Sequence, residues 1–496
     1  MEVTARHISG GAGRWKSPYP DLARAWAGKL AQATQQAPVS SGATDSSVEA
    51  PVMGVERCGG VVPTESVRQP RKGEERARAV KPFAIDKRVV WEAWKHVKAN
   101  RGAAGIDRET IEAFEANLKD NLYRVWNRMC SGSYFPPAVR LVEIPKKTGG
   151  VRTLGIPTVE DRIAQTVVKT YIEPSLERLF HPDSYGYRPG KSALQAVGVA
   201  ATRCLDRNWV VEFDIQRAFD ELVHTKVLRM VRMHVKERWA VMYIERWLKA
   251  PFVQADGTVV RRSKGVPQGS VIGPVLMNLF MHDAFDRWMQ EIHPDCPFAR
   301  YADDAVAHCL TEKQAQYMLG TIGRRLAKYG LKLNLQKSSI VYCRDSRRRE
   351  AHACKQFTFL GYTFRPRAAK NRHGKLIQCF LPGVSLEARK KMLRTIRSWK
   401  LTRQTPASIG ALAARYNPIL RGWWNYYGHF YKSALYRVFD SFEATLARWA
   451  RRKYKKLLRH EGRSFRWLWR VARRQPDLFV HWRAYGQAGG RAMGAV

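Results

Sequence analysis

Three aspartates of this chain lie inside segments whose other residues are mainly apolar. Asp214 lies in "NWVVEFDIQRAF", and Asp303 and Asp304 are adjacent in "FARYADDAV". Because side chains alternate between the two faces of a strand, the first segment predicts a strand with Glu212 and Asp214 on its more polar face. The second segment predicts a short hairpin. Burying neighbouring carboxylates is unfavourable without a compensating charge, so we expect the fold to join the two segments around a cation.

The alternative for Asp303 and Asp304 is an ordinary surface turn. The charge of the whole chain argues against it, because Lys and Arg number 86 against 43 acids and the net charge is +43. In such a chain a local group of carboxylates suits Mg²⁺, which usually combines one or two carboxylates with substrate phosphates. Two such ions can activate an attacking hydroxyl and stabilise a leaving oxygen.

The excess of positive charge also indicates a polyanionic partner. Nucleic acid is favoured over an anionic membrane surface, because the rings of the 16 Trp and 19 Tyr can stack on bases. No apolar run is long enough to span a bilayer, and the N-terminus lacks a secretory signal. The eight cysteines form no C-x-x-C pair, which predicts free thiols and argues against a zinc module.

Several common enzyme motifs are absent from the sequence. It contains no G-x-G-x-x-G, H-E-x-x-H or G-x-S-x-G segment, so nothing supports a dinucleotide enzyme, a zinc protease or a serine hydrolase. "YGYRPGKS" ends like a P-loop, but Tyr185 stands where that loop needs glycine, and Pro189 removes a backbone N–H. We predict a turn before a helix, with Arg188 and Lys191 touching a phosphate backbone.

Hydrophobic patterning predicts a poorly ordered segment over residues 1–80 and order from about Pro82 onward. "DKRVVWEAWKHVKAN" predicts a helix, and "VRLVEIPKKTGGVRTLGIPT" predicts a hairpin. The T-x-x-D pattern that starts at Thr158 predicts a capped helix. "FTFLGYTFRP" is interpreted as one strand with alternating Phe.

From Leu381 onward the pattern becomes helical and strongly basic, with interleaved aromatic residues, which predicts a separate helical domain. Trp423, Trp424, Tyr426 and Tyr427 are candidates for stacking on bases. Aromatic residues at helical spacing more often pack in a core, so we expect Trp424 or Tyr427 to be buried.

The segments "EFDIQRAFD", "GVPQGSVIGPVLMNLF", "RYADDAVAH", "LKLNLQKSSIVY" and "FTFLGYTF" resemble, in this order, the motif series of reverse transcriptases. More closely, the chain resembles the reverse transcriptase/maturase encoded by group II introns. "NRGAAGIDRETI", "IPKKTGGVRTLGIPTVEDRIAQ" and "SYGYRPGKSALQAV" are similar to its fingers, and "RGWWNYYGHFYKSALYRVF" to its maturase or thumb domain. The resemblance covers roughly residues 85 to 460.

This resemblance implies an α+β right-hand polymerase, with fingers and palm followed by an α-helical thumb/maturase domain. The implied boundaries are fingers over 81–200, palm over 201–365 and the helical domain over 366–460. Residues 461–496 would then be a basic tail, a possible DNA-binding remnant. Many relatives continue into an H-N-H nuclease with paired cysteines, and we expect none here.

The resemblance also implies roles for individual residues. Asp214, Asp303 and Asp304 are the implied catalytic carboxylates. Two Mg²⁺ ions would be held by Asp214, Asp303 and the backbone carbonyl of Ile215, with Asp304 more peripheral. Tyr301 would face the primer end.

Five further residues are the implied nucleotide-binding group: Lys146, Arg152, Phe219, Gln268 and Lys337. Phe219 would exclude the 2′-OH of a ribonucleotide; the alternative is a core aromatic. Lys146 and Arg152 would grip the triphosphate, and Gln268 the incoming nucleotide or template. Lys337 would neutralise the leaving pyrophosphate; the alternative is a solvated lysine.

A basic run in the helical domain is the candidate RNA-binding surface, with a solvated helix face as the alternative. The run consists of Arg451, Arg452, Lys453, Lys455 and Lys456.

We therefore expect an RNA-directed DNA polymerase that binds its group II intron RNA, promotes splicing and supports mobility by target-primed reverse transcription. Its partners would be the intron RNA, a DNA target and primer, and dNTPs, in a ribonucleoprotein associated with the bacterial nucleoid in the cytoplasm. The low acid content of the first forty residues leaves an organellar location open. The alternatives are a non-catalytic RNA-binding splicing cofactor and a domesticated reverse transcriptase without an intron.

Overall fold

The computed structural model describes residues 81–145, 151–370 and 373–487. The predicted disorder of residues 1–80 therefore lies outside the described residues, as does Lys146. The side chain of Arg152 is likewise not among those described.

The first part of the chain packs helices against a hairpin. Asp86 caps the first helix, where its carboxylate accepts from Arg88 N, and Thr158 caps the last one by accepting from Asp161 N. These caps confirm both predicted helix starts. The elements are α1 (Lys87–Ala99), α2 (Ile111–Ala116), α3 (Leu118–Cys130), β1 (Val139–Pro145), β2 (Val151–Ile156) and α4 (Val159–Leu179).

The predicted hairpin is confirmed, because β1 and β2 pair antiparallel from Arg140–Ile156 to Pro145–Val151. Two short strands extend this sheet in the order β2-β1-β4-β5: β4 is Phe252–Val253 and β5 is Val259–Val260.

A second four-stranded sheet forms the middle of the chain, in the order β6-β7-β3-β8. Its strands are β3 (Trp209–Phe213), β6 (Phe298–Tyr301), β7 (Asp304–Cys309) and β8 (Ser339–Tyr342). The helices around it are α5 (Ala193–Asp206), α6 (His224–His234), α7 (Arg238–Lys249), α8 (Gly273–Met281), α9 (Arg287–Ile292) and α10 (Glu312–Lys328). Ser192 and Gln195 form a capping box at the start of α5, which confirms the predicted turn before a helix.

The segment "FTFLGYTFRP" was predicted to be one strand, and this prediction is wrong. It folds back on itself at Leu360 and Gly361, both with positive φ (51° and 79°). Its two halves, β9 (Phe357–Phe359) and β10 (Tyr362–Lys370), pair antiparallel, and β11 (Leu376–Val384) completes the sheet. The alternating Phe pattern is the same in a strand and in a tight hairpin, so periodicity did not reveal the turn.

The helical domain consists of α11 (Leu386–Ser398), α12 (Ile409–Tyr427), α13 (Ser433–Lys453), α14 (Glu461–Arg474) and α15 (Val480–Gln487). It begins at Leu386, later than the predicted boundary at residue 366, because β10 and β11 occupy the interval.

Residues 461–487 are part of the helical domain rather than the predicted tail. Leu468 and Phe479 are fully buried in the same core as Trp449 of α13. The buried carboxylate of Glu443 accepts from His481 Nε2 at 2.5 Å and from Trp482 Nε1 at 2.6 Å. These contacts fix α15 against α13.

The aromatic residues at the end of α12 are half-buried, so neither Trp424 nor Tyr427 is fully buried as expected. Trp424 packs on Phe439 at 5.7 Å between ring centroids. Tyr426 OH donates to the carbonyl of Leu360 at 2.9 Å, and Tyr362 OH donates to the carbonyl of Tyr426. These residues join the helical domain to the β9–β11 sheet, a packing role instead of an open stacking platform.

Two expectations from composition can also be compared with the structure. Among the described residues, no helix has both the length and the apolar character needed to cross a membrane. The seven cysteines in the described ranges are free thiols, which confirms the prediction for these seven.

We expect Phe479→Ala to lower the free energy of unfolding of the helical domain by about 3–5 kcal/mol, because the side chain is fully buried beside Phe442 and Trp482. Denaturant unfolding followed by tryptophan fluorescence measures the change. Trp469→Ala is the control, since Trp469 is 41% exposed and its loss should cost about 0.5 kcal/mol or less. Equal midpoints for the two variants would contradict the docking of α15.

Candidate active site

The palm-like sheet brings the three predicted carboxylates together. β3 and β7 pair antiparallel with Phe213 opposite Ala305. Asp214 follows Phe213, and Asp304 precedes Ala305, so the two aspartates lie side by side where the paired strands end. Asp303 lies in the turn of the β6–β7 hairpin, in which Tyr301 pairs with Asp304.

The hairpin turn has a backbone conformation that non-glycine residues seldom adopt. Ala302 has a φ of 59°, in the left-handed region, which costs of order 1–3 kcal/mol. The backbone of Gly186 lies against this turn so closely that a Cβ there would be 2.4 Å from Ala302 N. Gly186 must therefore be glycine, and its segment holds the turn from one side.

Arg300 holds the same turn from beneath. Its guanidinium donates to the carbonyl of Ala302 at 2.8 Å and to Ser184 Oγ at 2.8 Å. It also forms a two-point pair with the carboxylate of Asp286, with Nε to Oδ1 at 2.7 Å. Both charged side chains are 0% exposed. Such a bidentate pair fixes the orientation of the guanidinium, and hence the position of the Ala302 carbonyl.

Asn278 and the helical turn that carries Asp286 complete this support. Asn278 of α8 donates to the carbonyl of Gly186 at 2.7 Å and accepts from Arg300 at 3.2 Å. Asp286 ends a π-helical turn, His282–Asp286, that joins α8 to α9. This network was not predicted from the sequence. Its only sequence signal is an arginine in an apolar strand and polar residues in an apolar helix, which predict buried pairing but not the partners.

The carboxylates interact electrostatically. The pKa of Asp304 is raised to about 7 by burial and by the charges of Glu212, Asp303 and Asp214, while a hydrogen bond from the backbone of Leu360 lowers it. Burial and Asp214 also raise the pKa of Glu212, against hydrogen bonds from Thr358 N and Ser339. A cation at this site would relieve the repulsion that raises these pKa values.

Asp214 is held by four contacts with the segment before β8, one of which is the hydrogen bond from Asp214 N to Ser338 Oγ at 3.4 Å. Lys337 Nζ lies 3.2 Å from its carboxylate, and Asn334 Nδ2 donates to the same oxygen at 3.2 Å. Asn334 N donates to the carbonyl of Asp214 at 2.8 Å. Lys337, predicted to neutralise pyrophosphate, is thus next to the acid cluster with a side chain that is 68% exposed.

The described residues contain no group of three or more His, Cys, Asp and Glu side chains already arranged to hold a metal ion. The donor set nevertheless fits a hard cation of the kind that takes one or two carboxylates and completes its coordination with substrate phosphates. Asp214 and Asp303 supply carboxylate oxygens. Ile215 is buried and pairs with Leu333, at the place from which a backbone carbonyl ligand was expected.

The segments that carry Phe219 and Gln268 lie next to each other. Phe219 is half-buried and packs on the main core. Val266 N donates to its carbonyl at 2.8 Å, and Gln268 Nε2 lies 3.3 Å from the carboxylate of Asp220. Gly155 N in β2 donates to the carbonyl of Gln268 at 2.9 Å, so the strand that carries Arg152 borders the same loop.

The two candidate phosphate contacts in "YGYRPGKS", Arg188 and Lys191, both contact other groups of the protein. Arg188 is buried: its Nε lies 3.0 Å from the Glu177 carboxylate, and its Nη1 donates to the carbonyls of His181 and Ser184 at 2.7 Å. The assignment of Arg188 as a phosphate contact is therefore wrong, because its guanidinium fixes the loop. Lys191 is half-buried, with Nζ 3.0 Å from the carbonyl of Pro182.

Tyr301 is half-buried beside Tyr187, with 6.2 Å between ring centroids, at the end of β6 next to the aspartate turn.

The five residues of the basic run differ in how far their side chains are exposed to solvent. Arg452, Lys455 and Lys456 are exposed, whereas Arg451 pairs with Glu461 at 3.5 Å. Lys453 Nζ donates to the carbonyl of Thr405 at 2.7 Å. Three of the five candidates thus present their charge to solvent.

Comparison with known proteins places two family domains on this architecture. The model described as reverse transcriptase (RNA-dependent DNA polymerase) matches residues 144–364. The model described as group II intron, maturase-specific domain matches residues 389–469. The first begins near the end of β1 and covers β2, β4, β5, the whole middle sheet and the acid cluster, and the second covers most of the helical domain.

Individual relatives are similar at moderate identity. Protein YkfC of Escherichia coli (strain K12) is 28% identical over 325 residues, which are 58% of this chain and 82% of the relative. Group II intron-encoded protein LtrA of Lactococcus lactis is 28% identical over 198 residues, 39% of this chain and 32% of LtrA. The putative COX1/OXI3 intron 1 protein of Saccharomyces cerevisiae is 25% identical over 201 residues, 40% of this chain and 24% of the relative. The chain thus spans about a third or less of the two intron-encoded relatives.

We expect Asp286→Ala to destabilise the protein by about 3–5 kcal/mol, because it leaves the buried guanidinium of Arg300 without its counter-ion. Chemical denaturation measures the change. The double variant Asp286→Leu with Arg300→Met should recover much of the stability, since no buried charge remains. It should still be impaired in catalysis, because the carbonyl of Ala302 has lost its donor. Full activity in the double variant would show that the pair does not position the turn.

Proposed function

This chain belongs to the family of group II intron-encoded reverse transcriptases/maturases, and we propose that Asp214, Asp303 and Asp304 are the catalytic residues of its RNA-directed DNA polymerase. The observation that carries the proposal is the convergence of these carboxylates at the end of the β3–β7 pair, where Asp304 has a pKa of about 7. Repulsion of this kind is costly to retain in a site that binds no cation.

We propose that the substrates are dNTPs, a DNA primer and an RNA template. Asp214 and Asp303, with the carbonyl of Ile215, are the residues assigned to hold two Mg²⁺ ions, which when bound supply charge stabilisation at the attacking and leaving oxygens. Asp304 acts as a supporting carboxylate, oriented by the backbone of Leu360. The Arg300 network keeps Asp303 in place, so that the catalytic turn does not reorganise during the reaction.

The surrounding residues would position the reactants. Phe219, five residues after Asp214, would exclude a 2′-OH, and Gln268, beside Asp220, would contact the nucleotide or template. Lys337 is close enough to Asp214 to exchange that carboxylate for a phosphate oxygen. Tyr301 would face the primer end, as its place beside the aspartate turn supports. Lys146 and Arg152 remain the proposed triphosphate contacts.

A second part of the proposal concerns RNA binding and splicing. Arg452, Lys455 and Lys456 present positive charge on the helical domain, and the maturase-specific match includes all three. We assign them to the phosphate backbone of the intron RNA. Mobility would use the same polymerase site, with a DNA target that supplies the primer. The bacterial origin of YkfC and LtrA supports a ribonucleoprotein in the bacterial cytoplasm.

Asp303→Ala should abolish cDNA synthesis, with a loss of at least about a hundredfold, because it removes a proposed metal ligand. Extension of a DNA primer on an RNA template with Mg²⁺ and dNTPs measures the loss. The variant should keep wild-type affinity for intron RNA, since the basic run is unchanged. Asp120→Ala, at an exposed position on α3, is the charge-matched control.

Primer extension, measured beside intron splicing and binding of intron RNA, distinguishes a polymerase from a non-catalytic splicing cofactor. A wild-type protein that accelerates splicing of an intron RNA but extends no primer would overturn the polymerase proposal in favour of a non-catalytic splicing cofactor. A protein that extends primers but does not bind intron RNA would favour a domesticated reverse transcriptase.

Phe219→Val should relax sugar selection, since a smaller side chain leaves room for a 2′-OH. We expect the ratio of kcat/KM for dNTP to that for rNTP to fall by roughly tenfold or more. Single-nucleotide incorporation with matched dNTP and rNTP gives this ratio. Phe135→Val is the control, because Phe135 is 63% exposed. An unchanged ratio would mean that Phe219 is only a core aromatic.

A further inference from the structure

The loop that carries Gln268 is anchored at its start and in its middle by backbone hydrogen bonds. Val266 N donates to the carbonyl of Phe219 at 2.8 Å, and Gly155 N donates to the carbonyl of Gln268 at 2.9 Å. Gly269 has a φ of 118°, and a Cβ there would lie 2.6 Å from the carbonyl oxygen of Gly155. The loop therefore runs past β2 in direct backbone contact.

The end of the same loop is held by a side chain from a distant helix. Gln165 of α4 accepts at Oε1 from Val271 N at 2.8 Å and from Ile272 N at 3.3 Å. Ile272 directly precedes α8 and has no polar side chain with which to cap that helix. The side chain of Gln165 is buried, so it caps α8 from another part of the chain and fixes where the loop ends.

The amide group of Gln165 satisfies its neighbours in one orientation only. Its Nε2 donates to Asp161 Oδ2 at 2.9 Å, one turn earlier in α4. If the amide were turned over, its NH2 group would face two backbone N–H donors, and its oxygen would face a carboxylate. Neither arrangement forms a hydrogen bond. Asp161 therefore determines which end of the amide faces the loop.

Asp161 is a buried carboxylate that the proposed chemistry does not use. Its Oδ1 accepts from Tyr134 OH at 2.9 Å and from Trp247 Nε1 at 2.6 Å, and its side chain is 0% exposed. Burial raises the pKa of Asp161 to about 6, although the hydrogen bonds from Trp247, Tyr134 and Gln165 lower it. All three donors are uncharged. A buried charge held in this way is restrained in one position.

We propose that Asp161 is a positioning residue of the polymerase, which acts through Gln165 to hold the Gln268 loop in place for the incoming nucleotide. The inference rests on the proposed contact of Gln268 with that nucleotide. The carboxylate orients the amide, and the amide fixes the backbone at Val271 and Ile272. A loop that is ordered before the nucleotide arrives loses little freedom when it binds, which favours nucleotide affinity.

The variant Asp161→Asn tests the orientation of the amide without changing side-chain size. Because Trp247 Nε1 can only donate, the new side chain keeps its oxygen toward Trp247 and turns its NH2 group toward Gln165. The amide of Gln165 must then turn over and present its own NH2 group to the loop. In primer extension we expect the KM for dNTP to rise about tenfold, as for one lost hydrogen bond, with kcat changed by less than about threefold.

The double variant Asp161→Asn with Gln165→Glu exchanges donor and acceptor between the two side chains. The NH2 group at position 161 then donates to one carboxylate oxygen at position 165, and the other oxygen accepts from Val271 N and Ile272 N. Negative charge at the start of α8 is also favoured by the helix dipole. We expect this variant to recover most of the wild-type KM, which a general loss of stability would not allow.

Tyr243→Phe is the matched control. It removes a hydrogen bond that is buried to a similar degree, from Tyr243 OH to the carbonyl of Met129 at 2.7 Å, outside this network. It should lower the midpoint of thermal unfolding without raising the KM. Hydrogen–deuterium exchange of the full-length protein, measured without substrates, reports on the loop directly. The amides of Val271 and Ile272 should exchange faster in Asp161→Asn and at the wild-type rate in the double variant.

The combination of exchange and kinetics decides the role of Asp161. A higher KM and faster exchange in Asp161→Asn, both reversed in the double variant and absent in Tyr243→Phe, support the proposal. It is overturned by unchanged exchange or unchanged KM in Asp161→Asn, by a double variant that is equally impaired, or by the same rise in KM in Tyr243→Phe.

Gln268→Ala tests the proposed nucleotide contact separately. An unchanged KM in this variant would count against that contact. The exchange measurement does not depend on catalysis, so it would still decide whether Asp161 orients the loop through Gln165.

Discussion

The buried pair of Arg300 and Asp286 is the interaction on which the proposed catalytic geometry depends. Both side chains are fully buried, and the guanidinium contacts two other segments, at Ser184 and at the carbonyl of Ala302. One arginine thus connects the π-helical turn before α9, the "SYGYR" loop and the aspartate hairpin. Removing either charge would leave the other without a partner in the interior, so the turn and its support are thermodynamically linked.

A strained turn needs this kind of support. Ala302 holds a left-handed backbone conformation, and Gly186 lies against it too closely for any side chain. Next to the turn, burial and the charges of Glu212, Asp303 and Asp214 raise the pKa of Asp304 to about 7. The surrounding packing stabilises a local arrangement that is unfavourable by itself, as is common at functional sites.

Acidic and basic side chains are also distributed unequally over the molecule. The acid cluster occupies one end of the middle sheet, whereas arginines line the neighbouring cavity between the β9–β11 sheet and the helical domain. Tyr362 and Tyr426 join that sheet to α12 by mutual packing. The position of the helical domain relative to the acid cluster therefore depends on these aromatic contacts together with the hydrogen bond from Tyr431 OH to the carbonyl of Ala368 at 3.2 Å.

The sequence by itself determined the local elements and the identity of the acid cluster. The cap at Thr158, the β1–β2 hairpin and the strand that leads to Asp214 follow from periodicity and short-range hydrogen bonds, which neighbouring residues define. Only the tertiary structure decided that Arg188 is a buried support, that "FTFLGYTFRP" turns at Leu360, and that residues 461–487 dock on α13. It also decided the partners of Arg300 and the arginine cavity. These features depend on which distant segments meet, and a charged residue in a sequence shows that a partner is needed without showing which one.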